Sequence, residues 1–140
     1  MTVTVEEILD RAVLEGYLTP VVAAEGPAHS AGFLRFGLLD GVSSPSGWSD
    51  PHGSGVVGPP AGALAVDLGT GGGIPGLVLA TLTMCRWVLV DRGERRGSFL
   101  RWAVRRLGLR DRVEVVVADA VEVGRGPLRG KANLVTARSF

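Results

Sequence analysis

The residues with the most chemistry to offer lie in one stretch, Val66-Asp67-Leu68-Gly69-Thr70-Gly71-Gly72-Gly73-Ile74-Pro75-Gly76. Five glycines fall within eight residues, just after an acid. Glycine adopts positive φ without strain and lets a ligand approach the backbone with no Cβ in the way. Two ligand classes fit. Gly71, Gly73 and Gly76 satisfy G-x-G-x-x-G, the dinucleotide fingerprint, which points to an NAD or nucleotide-binding protein. Asp67-x-Gly69-x-Gly71-x-Gly73 instead places a carboxylate two residues ahead of the first glycine. A carboxylate there attracts a ligand ammonium and repels a pyrophosphate, so this pattern suits a cationic nucleoside with an amino-acid tail.

A second acid, Asp91, closes the apolar run 87–90, twenty residues beyond Gly71. A carboxylate at the end of a second strand can accept both hydroxyls of a ribose. It supports a nucleoside ligand of either class. His29 and His52 lie in a loop-rich region with no carboxylate or Cys at ligand spacing, and Cys85 is the single cysteine. No zinc site, disulfide framework or nucleophile–base pattern is present in these spacings.

Positioning these acids requires a scaffold, and the chain changes character near residue 61. Residues 3–16 are predicted helical: Thr4 and Glu7 form a capping box, and Ile8, Leu9, Ala12 and Val13 form an apolar stripe ending at Gly16. Residues 26–60 hold eight Gly, five Pro and six Ser and are predicted to form a loop-rich arm, with a short helix or buried segment at most over 33–39. Trp48 either anchors that arm on the core or stacks on a base.

From residue 61 the rhythm is strand (63–68), glycine turn, helix (74–83), strand (87–90), helix (95–109), strand (113–117), strand (134–136). Alternation of this kind, with near-continuously apolar strands, is the signature of parallel βαβ units covered on both faces. Right-handed crossovers then give a doubly wound, Rossmann-like α/β sheet with strand order 3-2-1-4. The expected organisation is an N-terminal helix and arm over 1–60 and a ligand-binding domain over 61–140.

The chain has 140 residues, 46% hydrophobic and 21% charged, which excludes wholesale disorder. The net charge of +1 excludes a polycation, although fourteen Arg stand against one Lys. No apolar run reaches the length of a membrane span. Residues 1–10 carry Glu6, Glu7 and Asp10 and no basic residue, unlike a secretory signal, so a cytoplasmic location is expected.

The combination of motifs resembles a known family, the guanine-N7 methyltransferases of small-subunit (16S) ribosomal RNA, once called glucose-inhibited division protein B. The pieces that carry the resemblance are the stretch 66–76, Leu89-Val90-Asp91-Arg92, Arg95-Arg96-Gly97-Ser98-Phe99-Leu100 and Val135-Thr136-Ala137-Arg138-Ser139-Phe140. It covers residues 61–140, with a faint echo over 36–41. It implies a class I methyltransferase that binds S-adenosyl-L-methionine (SAM). Gly69, Ile74, the backbone at Ala120-Val121, and Arg138 then correspond to cofactor contacts, and Asp119-Ala120 falls where such enzymes hold the adenine. With the motif residues, the expected cofactor set is Asp67, Gly69, Gly71, Gly73, Ile74, Asp91, Asp119, Ala120, Val121 and Arg138. One departure concerns Val121, where the family usually has an acid. A second is that the family continues past the fourth strand, whose edge is expected to be open: either the sequence is a fragment, or another chain, a second copy included, covers the edge, or the fold is curtailed.

Methyl transfer from SAM is an in-line displacement, and the enzyme contributes chiefly position and exclusion of water. Guanine N7 has an in-plane lone pair and needs no general base, so no catalytic residue is expected. Enzymes that methylate exocyclic amines usually carry an Asn/Asp-Pro-Pro-aromatic motif; this chain has Thr136-Ala137-Arg138-Ser139-Phe140 after the fourth strand, which agrees with N7. The Arg-rich helix 95–110 either faces solvent or contacts phosphates of 16S rRNA or the small ribosomal subunit. A non-catalytic interaction module with a methyltransferase-like fold is the competing reading.

Overall fold

Four short apolar strands pair side by side, all in parallel, in the order β3-β2-β1-β4. The structure, a computed structural model, describes residues 3–36 and 43–137. In chain order the elements are α1 (Val5–Leu14), α2 (Pro20–Gly32), β1 (Leu64–Leu68), α3 (Gly76–Leu82), β2 (Arg86–Asp91), α4 (Glu94–Arg106), β3 (Val113–Val117), α5 (Ala120–Arg125) and β4 (Leu134–Ala137). The expected strand order is therefore the observed one. Crossovers from β1 to β2 and from β2 to β3 step the same way along the sheet and place α3 and α4 on one face. The step from β3 back to β4 crosses the other face.

The two faces are covered unequally. Ala65, Trp87, Leu89, Val113 and Val115 pack with Leu77 and Leu79 of α3, Leu100 and Ala103 of α4, and Ile8 and Ala12 of α1. On the opposite face Leu64, Val66, Val88 and Val90 are covered only by partly buried residues such as Val123, Leu128 and Ala132. Trp87 is the largest fully buried side chain, and its indole Nε1 donates to Thr83 Oγ1 at 2.8 Å. That hydroxyl in turn donates to the Leu79 carbonyl at 2.7 Å. Replacing Thr83 by valine keeps the volume and removes the acceptor. The orphaned indole is expected to lower stability by about 1–3 kcal/mol, read as a reduced urea midpoint with an unchanged m-value.

The N-terminal third departs from its expected form. The first helix begins two residues later and ends two earlier than predicted; Thr4 caps it, accepting from the Glu7 amide at 3.2 Å. A second helix, α2, occupies residues 20–25, for which the sequence predicts no element, and the start of the arm. Thr19 caps it and Pro20 occupies its first turn, whereas Gly26 and the internal Pro27 hide its periodicity. Packing supplies what propensity lacks. Leu9, Ala23, Ile74 and Val78 form one cluster between α1, α2 and α3, and a Cβ on Gly26 would collide with the Ile74 side chain.

The described remainder of the arm packs against the same core. Leu34 and Val56 are buried in it, and the Val57 amide donates to the Leu34 carbonyl at 3.0 Å. Asp50 accepts from the amides of Gly55 at 2.8 Å and Ser54 at 3.1 Å, and the Gly55 bond leads in holding its carboxyl below the ordinary value. Trp48 meets Phe36 edge-on at 6.0 Å and lies at the margin of the core, so it is an anchor. The segment expected over 33–39 is described only to Phe36, and the faint family echo over 36–41 lies almost wholly outside the described residues.

Candidate functional site

The glycine turn leaves the carboxyl end of β1 and is pinned to β2 by two amide donors. The Gly69 and Thr70 N–H groups both donate to the Val90 carbonyl, at 2.8 and 3.0 Å. Gly69 and Gly71 take positive φ, +77° and +55°, so side chains are disfavoured at both. A Cβ on Gly69 would meet nothing within 4 Å, and one on Gly71 only the Gly69 carbonyl at 3.9 Å. The turn therefore has an open side bounded by bare backbone.

Asp91 borders that opening. Its side chain is only 6% exposed, and both oxygens accept bonds within the chain, Oδ1 a single one that leaves it further acceptor capacity. Oδ1 accepts from the Gly71 amide at 3.1 Å; Oδ2 accepts from the Gly93 amide at 2.9 Å and from Arg96 Nε at 2.7 Å. The carboxylate thus joins the turn after β1 to the start of α4. The turn after β3 belongs to the same end of the sheet, since the Ala118 amide donates to the Asp91 carbonyl at 3.0 Å. Asp119 follows and caps α5, accepting from the Val121 amide at 2.8 Å; Ala120 is half-buried and Val121 exposed. Gly69, Gly71, Asp91, Asp119, Ala120 and Val121 are therefore brought to one edge of the sheet.

Three expected members stand elsewhere. Asp67 is completely buried and points into the protein. Its Oδ2 accepts from the Gly76 amide at 3.0 Å and its Oδ1 from the Thr136 hydroxyl at 2.8 Å. Burial raises its carboxyl from 3.8 to about 6, against the lowering effect of bonds led by Thr136. The expected attraction of a ligand ammonium is thus replaced by a structural role: Asp67 ties β1 to α3 and β4. A Cβ on Gly73 would lie 3.1 Å from Leu77, so that glycine faces the core and not the opening. Ile74 is likewise a core side chain, 3% exposed. Arg138 lies outside the described residues.

Arg96 and Thr136 are the partners that sequence reasoning missed. A guanidinium in the first turn of a helix that follows a strand-end acid was the available signal for Arg96. For Thr136 there was none, because its partner is 69 residues away. Nor is the Arg-rich segment uniform. Arg112 donates to the carbonyls of Ala80 at 2.6 Å and Cys85 at 3.2 Å, and Arg96 is held by Asp91. Arg92, Arg95, Arg101, Arg105, Arg106 and Arg110 are exposed. Cys85 is a fully buried core residue whose thiol burial pushes upward. Among the described residues no group of His, Cys, Asp or Glu could hold a metal, and no helix is long and apolar enough to cross a membrane.

Comparison with known proteins agrees with this fold. Among solved structures, the fold matches a protein of Methanococcus maripaludis described by its sequence as an S-adenosyl-L-methionine-dependent methyltransferase, with a TM-score of 0.60, covering 96% of this chain and 48% of that one at 17% identity. Among curated proteins, the chain is 40% identical over 81 residues to the ribosomal RNA small subunit methyltransferase G of Frankia alni, covering 57% of this chain and 31% of the relative. It is 44% identical over 79 residues to the protein of the same name from Kineococcus radiotolerans, covering 56% and 30%. The match thus spans about a third of the length of these relatives. A family model described as rRNA small subunit methyltransferase G matches residues 59–140, which take in the glycine turn, Asp91, α4 and β4. With more than half of its residues inside that match, the chain belongs to the GidB family of small-subunit rRNA methyltransferases.

Proposed function

We propose that this protein binds SAM at the carboxyl ends of β1, β2 and β3 and methylates guanine N7 of 16S rRNA. The observation that carries the reading is the pairing of Gly71 with Asp91: a side-chain-free turn open to a ligand, bonded to a nearly buried carboxylate. The residues present fit the cofactor. Gly69 and Gly71 leave room for its amino-acid portion, Asp91 offers acceptor oxygens to its ribose, and the backbone at Ala120-Val121 borders its adenine. Arg138 joins this set as a proposed contact. When bound, SAM supplies a methyl carbon activated by the sulfonium.

The chain's own part is to orient and to exclude water. Asp91 fixes the turn through Gly71 and receives the nucleoside. Asp67 and Thr136, bonded inside the protein, hold the ends of β1 and β4 in register behind the site.

The dinucleotide reading is disfavoured by one contact. In the G-x-G-x-x-G fold the pyrophosphate rests on the amides that open the first helix. Here the Gly76 amide is occupied by the Asp67 carboxylate, and a second anion would be repelled. The non-catalytic alternative rests on the outer edge of β4, where Val135 is 56% exposed. Light scattering that finds a dimer, with no methyl transfer to small ribosomal subunits, favours that reading.

Calorimetric titration with S-adenosylhomocysteine tests the proposal. Saturable binding at submillimolar ligand is expected, and Asp91→Asn is expected to weaken it by roughly 10–100-fold, the value of charge-assisted hydrogen bonds. Absence of heat with the wild type, or NAD raising the melting temperature while S-adenosylhomocysteine does not, overturns it.

A further inference from the structure

A cavity of about 370 Å³ lies between the end of α1 and the first turns of α4, a size typical of small-ligand sites. Its aromatic wall is continuous. Buried Phe99 lies 5.3 Å from Tyr17 and 5.7 Å from Trp102, centroid to centroid, and both of those rings are only half-buried. The polar wall carries two guanidinium groups, Arg11 and Arg95, and one carboxylate, Glu15. Arg11 stands 6.0 Å from the Trp102 ring and is paired with Glu15 at 3.1 Å, whereas exposed Arg95 has no ion-pair partner among the described residues. Ser98 adds a hydroxyl.

We infer that this cavity holds an unpaired nucleotide of the RNA substrate, its base against Trp102 and its phosphate on Arg95. The inference rests on the methyltransferase reading above for the identity of the RNA. Ring faces flanked by guanidinium groups are what single-stranded nucleic acid requires, since bases stack on any π surface and phosphates seek fixed cations. The cavity's position connects it to the candidate cofactor site through two pairs of adjacent residues. Arg95 lines the cavity while Arg96 holds Asp91. Tyr17 lines the cavity while Leu18 packs on the glycine turn, with its Cδ2 2.8 Å from where a Cβ on Gly72 would stand. A nucleotide seated here lies beside the cofactor and not in its place, so it positions the RNA for reaction at a neighbouring base.

The experiment titrates the whole protein with a short guanine-containing single-stranded oligoribonucleotide and reads tryptophan fluorescence. The wild type is expected to be quenched on binding. Trp102→Leu is expected to lose the quench and to bind about tenfold or more weakly, as stacking on one ring predicts. Arg95→Gln, at an exposed position with no ion pair among the described residues, is expected to bind several-fold more weakly and to lower the salt slope by about one. Both variants should bind S-adenosylhomocysteine as the wild type does. Variants that bind the oligomer as tightly as the wild type overturn the inference. So does guanosine monophosphate that displaces the oligomer at equal concentration, since the cavity is then a mononucleotide site. Intact quenching without S-adenosylhomocysteine binding sinks the methyltransferase reading and leaves the nucleotide cavity standing. The converse result sinks the cavity alone.

Discussion

Gly76→Ala is expected to cost at least about 3 kcal/mol of stability and to lower the melting temperature by roughly 10 °C. Gly76 opens α3 directly against Asp67 of β1. A Cβ there would stand 2.6 Å from the Asp67 Cβ and 2.7 Å from Leu89 Cδ2, and would press on the Asp67 carboxylate itself. Neither neighbour can give way, because Asp67 is held from both sides and Leu89 is a fully buried residue of the central strand β2. The helix must therefore move, and its first amide then leaves the Asp67 carboxylate. The overpacking strain and the loss of a charge-assisted hydrogen bond act together. Thermal unfolding followed by circular dichroism measures the effect. A loss under about 1 kcal/mol shows that the α3–β1 contact is loose. The Gly73 amide gives no such relief, being bonded to the Thr70 carbonyl at 2.9 Å.

The second large effect is a pH dependence that Asp67→Asn removes. The folded protein holds this carboxyl at about 6, raised chiefly by burial, whereas the unfolded chain holds it near 3.8. Between those values the folded state binds the proton more tightly. The stabilising contribution is thus fully present below about pH 4 and is lost as the pH rises through 6. A rise of this size corresponds to roughly 3 kcal/mol. Asparagine is nearly isosteric and does not titrate, so the stability of the variant relative to the wild type is expected to improve by about that amount between pH 4 and 7. Urea unfolding of both proteins across this range checks it. Parallel stability curves would show that Asp67 stays solvated enough to ionise freely, contrary to its complete burial.

The strands were legible because each is a continuous apolar run, and both faces of the sheet require that. Residues 113–117 were read with their observed ends, and the other three strands to within a residue or so at either end. The long helix α4 was legible for a similar reason: Phe99, Leu100, Ala103 and Val104 repeat at helical spacing and are buried. The second helix was not, because Gly26 and Pro27 interrupt its pattern and its stability comes from contacts with Leu9 and Ile74. The short α5 was hidden too, having six residues and no buried one to mark a periodicity.

By itself the sequence determined the frame: parallel strands in the order 3-2-1-4, a glycine turn after the first, and acids at the strand ends. Local propensity, apolar runs and the handedness of crossovers suffice for that, since each acts over a few residues or follows from topology. Which acid borders the opening was decided only in three dimensions. Asp67 and Asp91 look alike along the chain, yet the hydroxyl of Thr136, 69 residues away, and the amide of Gly76 turn one inward, while the amide of Gly71 and the guanidinium of Arg96 hold the other at the rim of the opening. Side-chain direction at a strand end depends on partners from other elements, and no local pattern records who those partners are.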